Sequence, residues 1–324
     1  MAPCQAKVET VILRTKPEMP NKAFDFIMRR CIRILPIYWI ISLYYVGSGV
    51  KRHNLALGRL VDSYLLFPSL HFPMHEPFIP LGWTLIFEMF FYYVLTFNLL
   101  FGKRAIIPRA ILSILVLIGI GAIAGFHRPI LILIANPINI EFVLGCCIAL
   151  IYWKIGSRPA LGTFLLFLGG LALGMTIIFG YGDAGDSALT LNGQLSWYRV
   201  ARWGLAAAVL TAGFVFRSTE VRSAFGRLWV YLGDASYSIY LASSLTLLNY
   251  DHLYRFVAAV PPDLNIFLAM FTVVAIGSAT YSFIERPITQ SITRRYQRAK
   301  MLRQPAAGPG IPIGPRMDAS GATL

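Results

Sequence analysis

Charge is what this sequence has least of. Only 14% of its 324 residues are Asp, Glu, Lys or Arg, against roughly 25% in soluble globular domains. Such a chain lacks the means to clothe a soluble surface. With 56% hydrophobic residues and a mean hydropathy of +0.62, it reads as a membrane protein. Acidic residues are scarcer still: 29 Lys and Arg face 15 Asp and Glu, a net charge of +14. A basic balance can mark nucleic-acid binding, but that needs a basic face on a soluble fold. Here the cations fall between apolar runs, as membrane topology predicts, which argues against nucleic acid as a partner.

Cysteine is also rare. Cys4, Cys31, Cys146 and Cys147 have no spacing that suggests a disulfide framework or a zinc site. Cys146 and Cys147 lie inside an apolar run, where free Cys behaves as a small hydrophobe. The opening MAPCQAKVETVILRTK has neither a long apolar core nor a small-residue cleavage site, so it does not read as a signal peptide. His53, His71, His75, His127 and His252 all fall in predicted outer loops. His71 and His75 are four apart, but Pro73 between them opposes the helical geometry of a metal pair, and no metal site is predicted.

What is present is a series of long apolar runs. About twenty such residues span a bilayer as a helix. Eight runs qualify, near 32–50, 79–101, 105–125, 130–152, 160–181, 198–216, 229–248 and 264–284. Residues 55–72 are too short and interrupted, and read as an interfacial or re-entrant segment. Counting cations on alternate sides tests the scheme: 22 Lys and Arg fall on one side, five on the other, and Arg199 and Arg202 lie at a helix end. The positive side faces the cytoplasm. The expected fold is therefore all-α, a polytopic transmembrane helical bundle with both termini cytoplasmic. Residues 1–300 form the membrane domain, and 301–324, rich in Pro, Gly and Ala, read as a disordered cytoplasmic tail.

One carboxylate interrupts this pattern at depth. In GWTLIFEMFFYY, residues 82–93, Glu88 lies about 13 Å below the predicted outer interface. A charge there costs about 3 kcal/mol or more, so its default reading is functional or paired. Thr84, Glu88 and Tyr92 recur every four residues and share one helix face, which should point into the protein. The competing reading is a hydrogen-bonded strut between helices.

A second signal is FDFIMRRCIRILPIYW, residues 24–39. Arg29 and Arg33 project together from a helix at the cytoplasmic surface, with Arg30 beside them. Topology anchors explain them, and so does a fork for phosphates, since guanidinium grips phosphate through two parallel bonds. Pro36 is expected to kink or restart that helix. Further polar residues interrupt apolar runs: Asn136, Pro137, Asn139 and Glu141 in the fourth, Asp234 to Tyr240 at the start of the seventh, and Glu285 and Arg286 before Pro287 at the end of the eighth. Pro137 would free backbone groups that need partners. Arg199 or Arg202 could pair with Glu88 or extend to the interface.

The order RRCIRILPIYW, GWTLIFEMFFYY, EFVLGCCIAL, LGDASYSIYL, SFIERP resembles the membrane acyltransferase family 3, and within it the exopolysaccharide production proteins of the ExoZ type. The resemblance covers residues 24 to about 290. It implies a multi-pass protein of the bacterial inner membrane that carries an acyl group, usually acetyl, from acyl-CoA to a sugar hydroxyl. The acceptor would be a glycan or lipid-linked oligosaccharide, with membrane lipid and exopolysaccharide assembly proteins as further partners. By the same resemblance Arg29, Arg30 and Arg33 match the basic motif that helps hold the CoA phosphates. Trp83, Thr84 and Glu88 match the motif that brings a carboxylate into the core as catalytic machinery. The family fold has about ten spans of about twenty residues each, so the chain is expected to lack the first one or two, with the Arg and His they carry. Ser243 stands where relatives often have His. Two other readings stay open: an inactive relative that assists polysaccharide export or assembly, and a transporter suggested by the polar positions at depth.

Overall fold

The computed structural model describes residues 20–47, 57–66, 77, 79–102, 104–125, 127–179, 187–217, 223–249 and 261–303. The four histidines His53, His71, His75 and His252 lie outside them, as do residues 1–19 and 304–324. Among the described residues there is no β-strand, and nearly all are helical. The protein is an all-α, multi-pass membrane protein.

Six helical stretches are long and apolar enough to cross a bilayer: Pro80–Leu100, Ile106–Ala124, Pro129–Ile155, Pro159–Phe179, Ser196–Phe216 and Leu264–Leu302. They correspond to six of the eight expected spans. The remaining two are helical but differ from the expectation. The first lies in α1, Pro20–Gly47, a helix of 28 residues whose apolar run is diluted by Arg30, Arg33 and several aromatics. The seventh is split into α11, Ala224–Asp234, and α12, Ser236–Leu248, of 11 and 13 residues. Each is shorter than a bilayer requires.

Proline acts differently from the sequence expectation at two places. Helix α1 runs unbroken through Pro36, so it does not restart there. Tyr237 from α12 donates to the carbonyl of Ile34 at 2.9 Å on the same turn, so a neighbouring helix supplies hydrogen bonding around the proline. Likewise the last span does not stop before Pro287. A π-helical turn, Tyr281–Glu285, carries α13, Pro262–Thr280, into α14, Arg286–Arg303. The wider turn lies where the proline ring would otherwise meet the carbonyl four residues back.

The fourth span is interrupted as expected. Helix α5, Pro129–Ile134, ends at Ala135, and a 3-10 turn, Pro137–Asn139, leads into α6, Ile140–Ile155. The freed backbone groups are met by two buried amides. Asn136 accepts from Ile138 N at 3.0 Å and donates to Thr190 O at 3.0 Å, while Asn139 donates to Leu133 O at 3.0 Å. The short α2, Leu57–Tyr64, docks on α1 through Tyr38 and Trp39, which donate to the carbonyls of Ser63 and Tyr64.

Helix α3, Trp83–Leu100, is the hub. It contributes residues to all three buried apolar clusters, among them Trp83, Met89 and Phe91. In its spanning segment 56% of the apolar window is buried, against 39% or less in every other spanning segment. Helices α7, Pro159–Phe179, and α10, Leu205–Phe216, form a close pair at the periphery. Gly169 and Gly213 bring each of these backbones onto the other, the small-residue packing common between membrane helices.

Candidate functional site

The hub helix carries its polar stripe into the bundle. Tyr92 OH donates to Glu88 Oε1 at 2.6 Å, one turn away on α3. One turn in the other direction, Thr84 Oγ1 donates to Leu81 O at 3.0 Å and lies 2.6 Å from Tyr240 OH. Tyr240 itself donates to Leu81 O at 2.8 Å. The stripe expected from the spacing therefore exists, and α12 closes over it. Tyr237 and Tyr240 both lie within electrostatic reach of Glu88. Leu85, Met89 and Leu241 pack against Tyr92, Tyr237 and Tyr240 beside this centre, and Glu88 itself is half-buried.

Two charged groups flank Glu88 along the bundle axis. Toward the end that bears the arginines, Arg30 places its guanidinium over the rings of Phe26 and Tyr92, at 5.2 and 5.1 Å from their centroids. Its Nε is buried and has no hydrogen-bond partner. An unpaired donor in such a place costs stability unless something else satisfies it. Toward the opposite end, Arg199 lies over Trp83 at 5.1 Å, and its charge reaches Glu141 and Tyr240. Trp83 is 5% exposed and wedged among Leu133, Ile138 and Leu191. It thus supports Arg199 while filling the core. Arg202 turns the other way, exposed, against Tyr198.

The three arginines of α1 diverge. Arg30 faces α3. Arg29 and Arg33, four apart, face the C-terminal segment, as their spacing suggests: Arg29 lines a cavity with α14, and Arg33 reaches Glu285, Tyr237 and Tyr281. Glu285 is 5% exposed and accepts from Ser238 Oγ at 2.5 Å. Arg29, Arg30 and Arg33 could hold separate parts of an extended anion rather than one phosphate.

Sequence reasoning found Thr84, Glu88, Tyr92 and the arginines. It gave no role to Tyr237, Tyr240, Ser238 or Glu285. The hydroxyl-rich run at residues 236–240 was the available signal, since Ser, Tyr, Ser and Tyr seldom gather on one membrane helix without partners. Which of those hydroxyls meet α3 depends on how α12 is placed.

The family model described as Acyltransferase domain, acyltransferase 3, matches residues 16–283. The exopolysaccharide production protein ExoZ of Rhizobium meliloti (strain 1021) is 28% identical over 276 residues, 82% of this chain and 80% of its own length. No solved structure matches.

Proposed function

Because the chain belongs to the acyltransferase 3 family, we propose that it is an O-acyltransferase that moves an acyl group, acetyl in the simplest case, from acyl-CoA to a sugar hydroxyl of an exopolysaccharide. The observation that carries this reading is the centre at Glu88. A half-buried carboxylate on the hub helix is held by Tyr92, and the guanidinium of Arg30, whose Nε is unpaired, lies over the ring of that same tyrosine. Acyl transfer needs these two elements: a base for the attacking hydroxyl and a donor for the oxyanion.

In this mechanism the sugar O–H attacks the thioester carbonyl. The O–C bond forms and the C–S bond breaks as the hydroxyl proton passes to Glu88, which then returns it to the departing sulfur so that CoA leaves as its thiol. Arg30 donates to the carbonyl oxygen as it gains charge. Tyr92 keeps Glu88 in one rotamer. Arg29 and Arg33 bind the donor's phosphates from the basic end, which faces the cytoplasm of a bacterial inner membrane. The eight-span arrangement with cytoplasmic termini belongs to the same reading, with α1 and the α11–α12 pair completing the crossings. Trp83 and Thr84 position the centre: Trp83 through Arg199, Thr84 through Tyr240.

The test is Glu88→Gln in purified full-length protein, with acetyl-CoA and the native polysaccharide. Transfer should fall by about 10²- to 10⁴-fold with normal protein yield. Wild-type rates in this variant would remove Glu88 as the base, and loss of folded protein would assign it to a structural strut.

A further inference from the structure

Glu141 is a carboxylate at membrane depth that the mechanism above leaves without a role. It is half-buried in the first turn of α6, where a helix N-terminus favours negative charge. It faces the spanning segment Ser196–Phe216, which is interrupted by a π turn, Val200–Gly204. Gly204 ends that turn, and its missing side chain admits the carboxylate. A Cβ there would lie 3.1 Å from Glu141 Oε1, tighter than such contacts normally run. Arg199 stands five residues before Gly204. In an α-helix residues so spaced point about 140° apart, and the wider π turn brings them toward one face. Arg199 and Gly204 thus both bear on Glu141, and the charge of Arg199 acts on it. The guanidinium itself lies over Trp83, at 5.1 Å from the ring. A second carboxylate is close by, since Arg199 and Glu88 both act on the hydroxyl of Tyr240.

Two carboxylates therefore compete for one guanidinium. Pairing with Glu88 would obstruct the transfer. A guanidinium grips a carboxylate through both oxygens, and Tyr92 already holds Oε1, so the acceptor hydroxyl would meet an occupied base. Attraction to the face of Trp83 is weaker than a charge-assisted bond to a carboxylate, so the ring alone does not detain Arg199. We propose that Glu141 is a positioning residue: it holds Arg199 over Trp83 and so keeps that guanidinium off Glu88. Gly204 gives the carboxylate its place, and the π turn brings Arg199 to the same side. Arg202 takes no part, being turned against Tyr198. The inference rests on the reading of Glu88 as the base, and it adds a charge whose task is to occupy another charge.

The experiment measures acetyl transfer from acetyl-CoA to the native polysaccharide by the purified full chain, with kcat expressed per folded protein. Glu141→Gln keeps the shape and removes the charge. Its kcat should fall about tenfold or more, while the KM for acetyl-CoA stays as it is. Adding Arg199→Gln to Glu141→Gln should raise kcat several-fold above the single variant, because the released guanidinium is then gone from Glu88. A structural brace predicts otherwise, since removing its second half cannot speed the enzyme that is already folded. Gly204→Ala changes no charge but pushes the carboxylate aside, and should lower kcat several-fold. It decides the matter if Glu141→Gln does not fold. The inference is overturned if Glu141→Gln, or in its place Gly204→Ala, turns over at the wild-type rate, or if the double variant is no faster than the single. Absence of transfer by wild type removes the transferase reading and the inference together. Transfer by wild type that none of these variants alters removes the inference alone.

Discussion

Tyr92 OH donates to Glu88 Oε1 at 2.6 Å, and the ring of the same tyrosine lies beneath the guanidinium of Arg30. One side chain thus touches both charged groups of the proposed centre. Tyr92→Phe keeps the ring and removes only the hydroxyl. A hydrogen bond to a charged group is worth about 1.5–3 kcal/mol, so kcat should fall about 10- to 100-fold with KM for acetyl-CoA unchanged. An unaltered kcat would show that the hydroxyl only braces the helix.

Tyr240 joins α12 to the start of the hub helix. Its hydroxyl meets both Thr84 Oγ1 and Leu81 O. Tyr240→Phe should raise the KM for the polysaccharide acceptor several-fold, about 1 kcal/mol in binding terms, and leave the KM for acetyl-CoA as it was. The two KM values, measured in one assay series, decide the point.

Acid should loosen α14. Burial pushes the Asp25 carboxyl up, but the bonds from Lys300 and Tyr296 and the charges of Lys300 and Arg29 outweigh it, so the group lies below the ordinary carboxylate range. A lowered value means that the contact is fully stabilising above the unfolded pKa of about 3.9 and weakens as pH falls through the folded value. The protection of residues 293–301 from hydrogen exchange, taken relative to the intrinsic rate at each pH, should therefore be flat from about pH 5 upward and fall below about pH 4. Asp25→Asn should show low protection throughout and no such fall.

The amide at 136 holds the break in the fourth span. Asn136→Ala removes the acceptor for Ile138 N and the donor to Thr190 O. Thermal unfolding in detergent should report a loss of about 1–3 kcal/mol. Asn136→Asp keeps the acceptor and should recover part of it.

Much of this was visible in the sequence. Apolar runs of bilayer length recover the six long helices, because burying backbone in lipid leaves helix as the available form. The four-residue spacing of Thr84, Glu88 and Tyr92 gives their shared face for the same geometric reason. Side-chain compensation was less visible. Pro36 and Pro287 read as breaks, but both helices continue: Tyr237, 203 residues from the Ile34 carbonyl that it meets, is far off in sequence, and the π turn beside Pro287 is marked by no motif. The role of Tyr240 required the distance of 159 residues between it and Leu81 to close. Charge contrast drew attention to Glu88, whereas Asp25 lay unnoticed in a basic stretch whose partner is the far end of the chain.

The way the hydroxyl pair ends bears on the membrane as an insulator. Thr84 and Tyr240 can pass a proton between them, being both donor and acceptor. Both terminate on the carbonyl of Leu81, which accepts and has no proton to give onward. A hydroxyl wire that stops on a backbone carbonyl conducts nowhere. The Thr84–Tyr240 pair therefore offers a proton no onward path through the bundle.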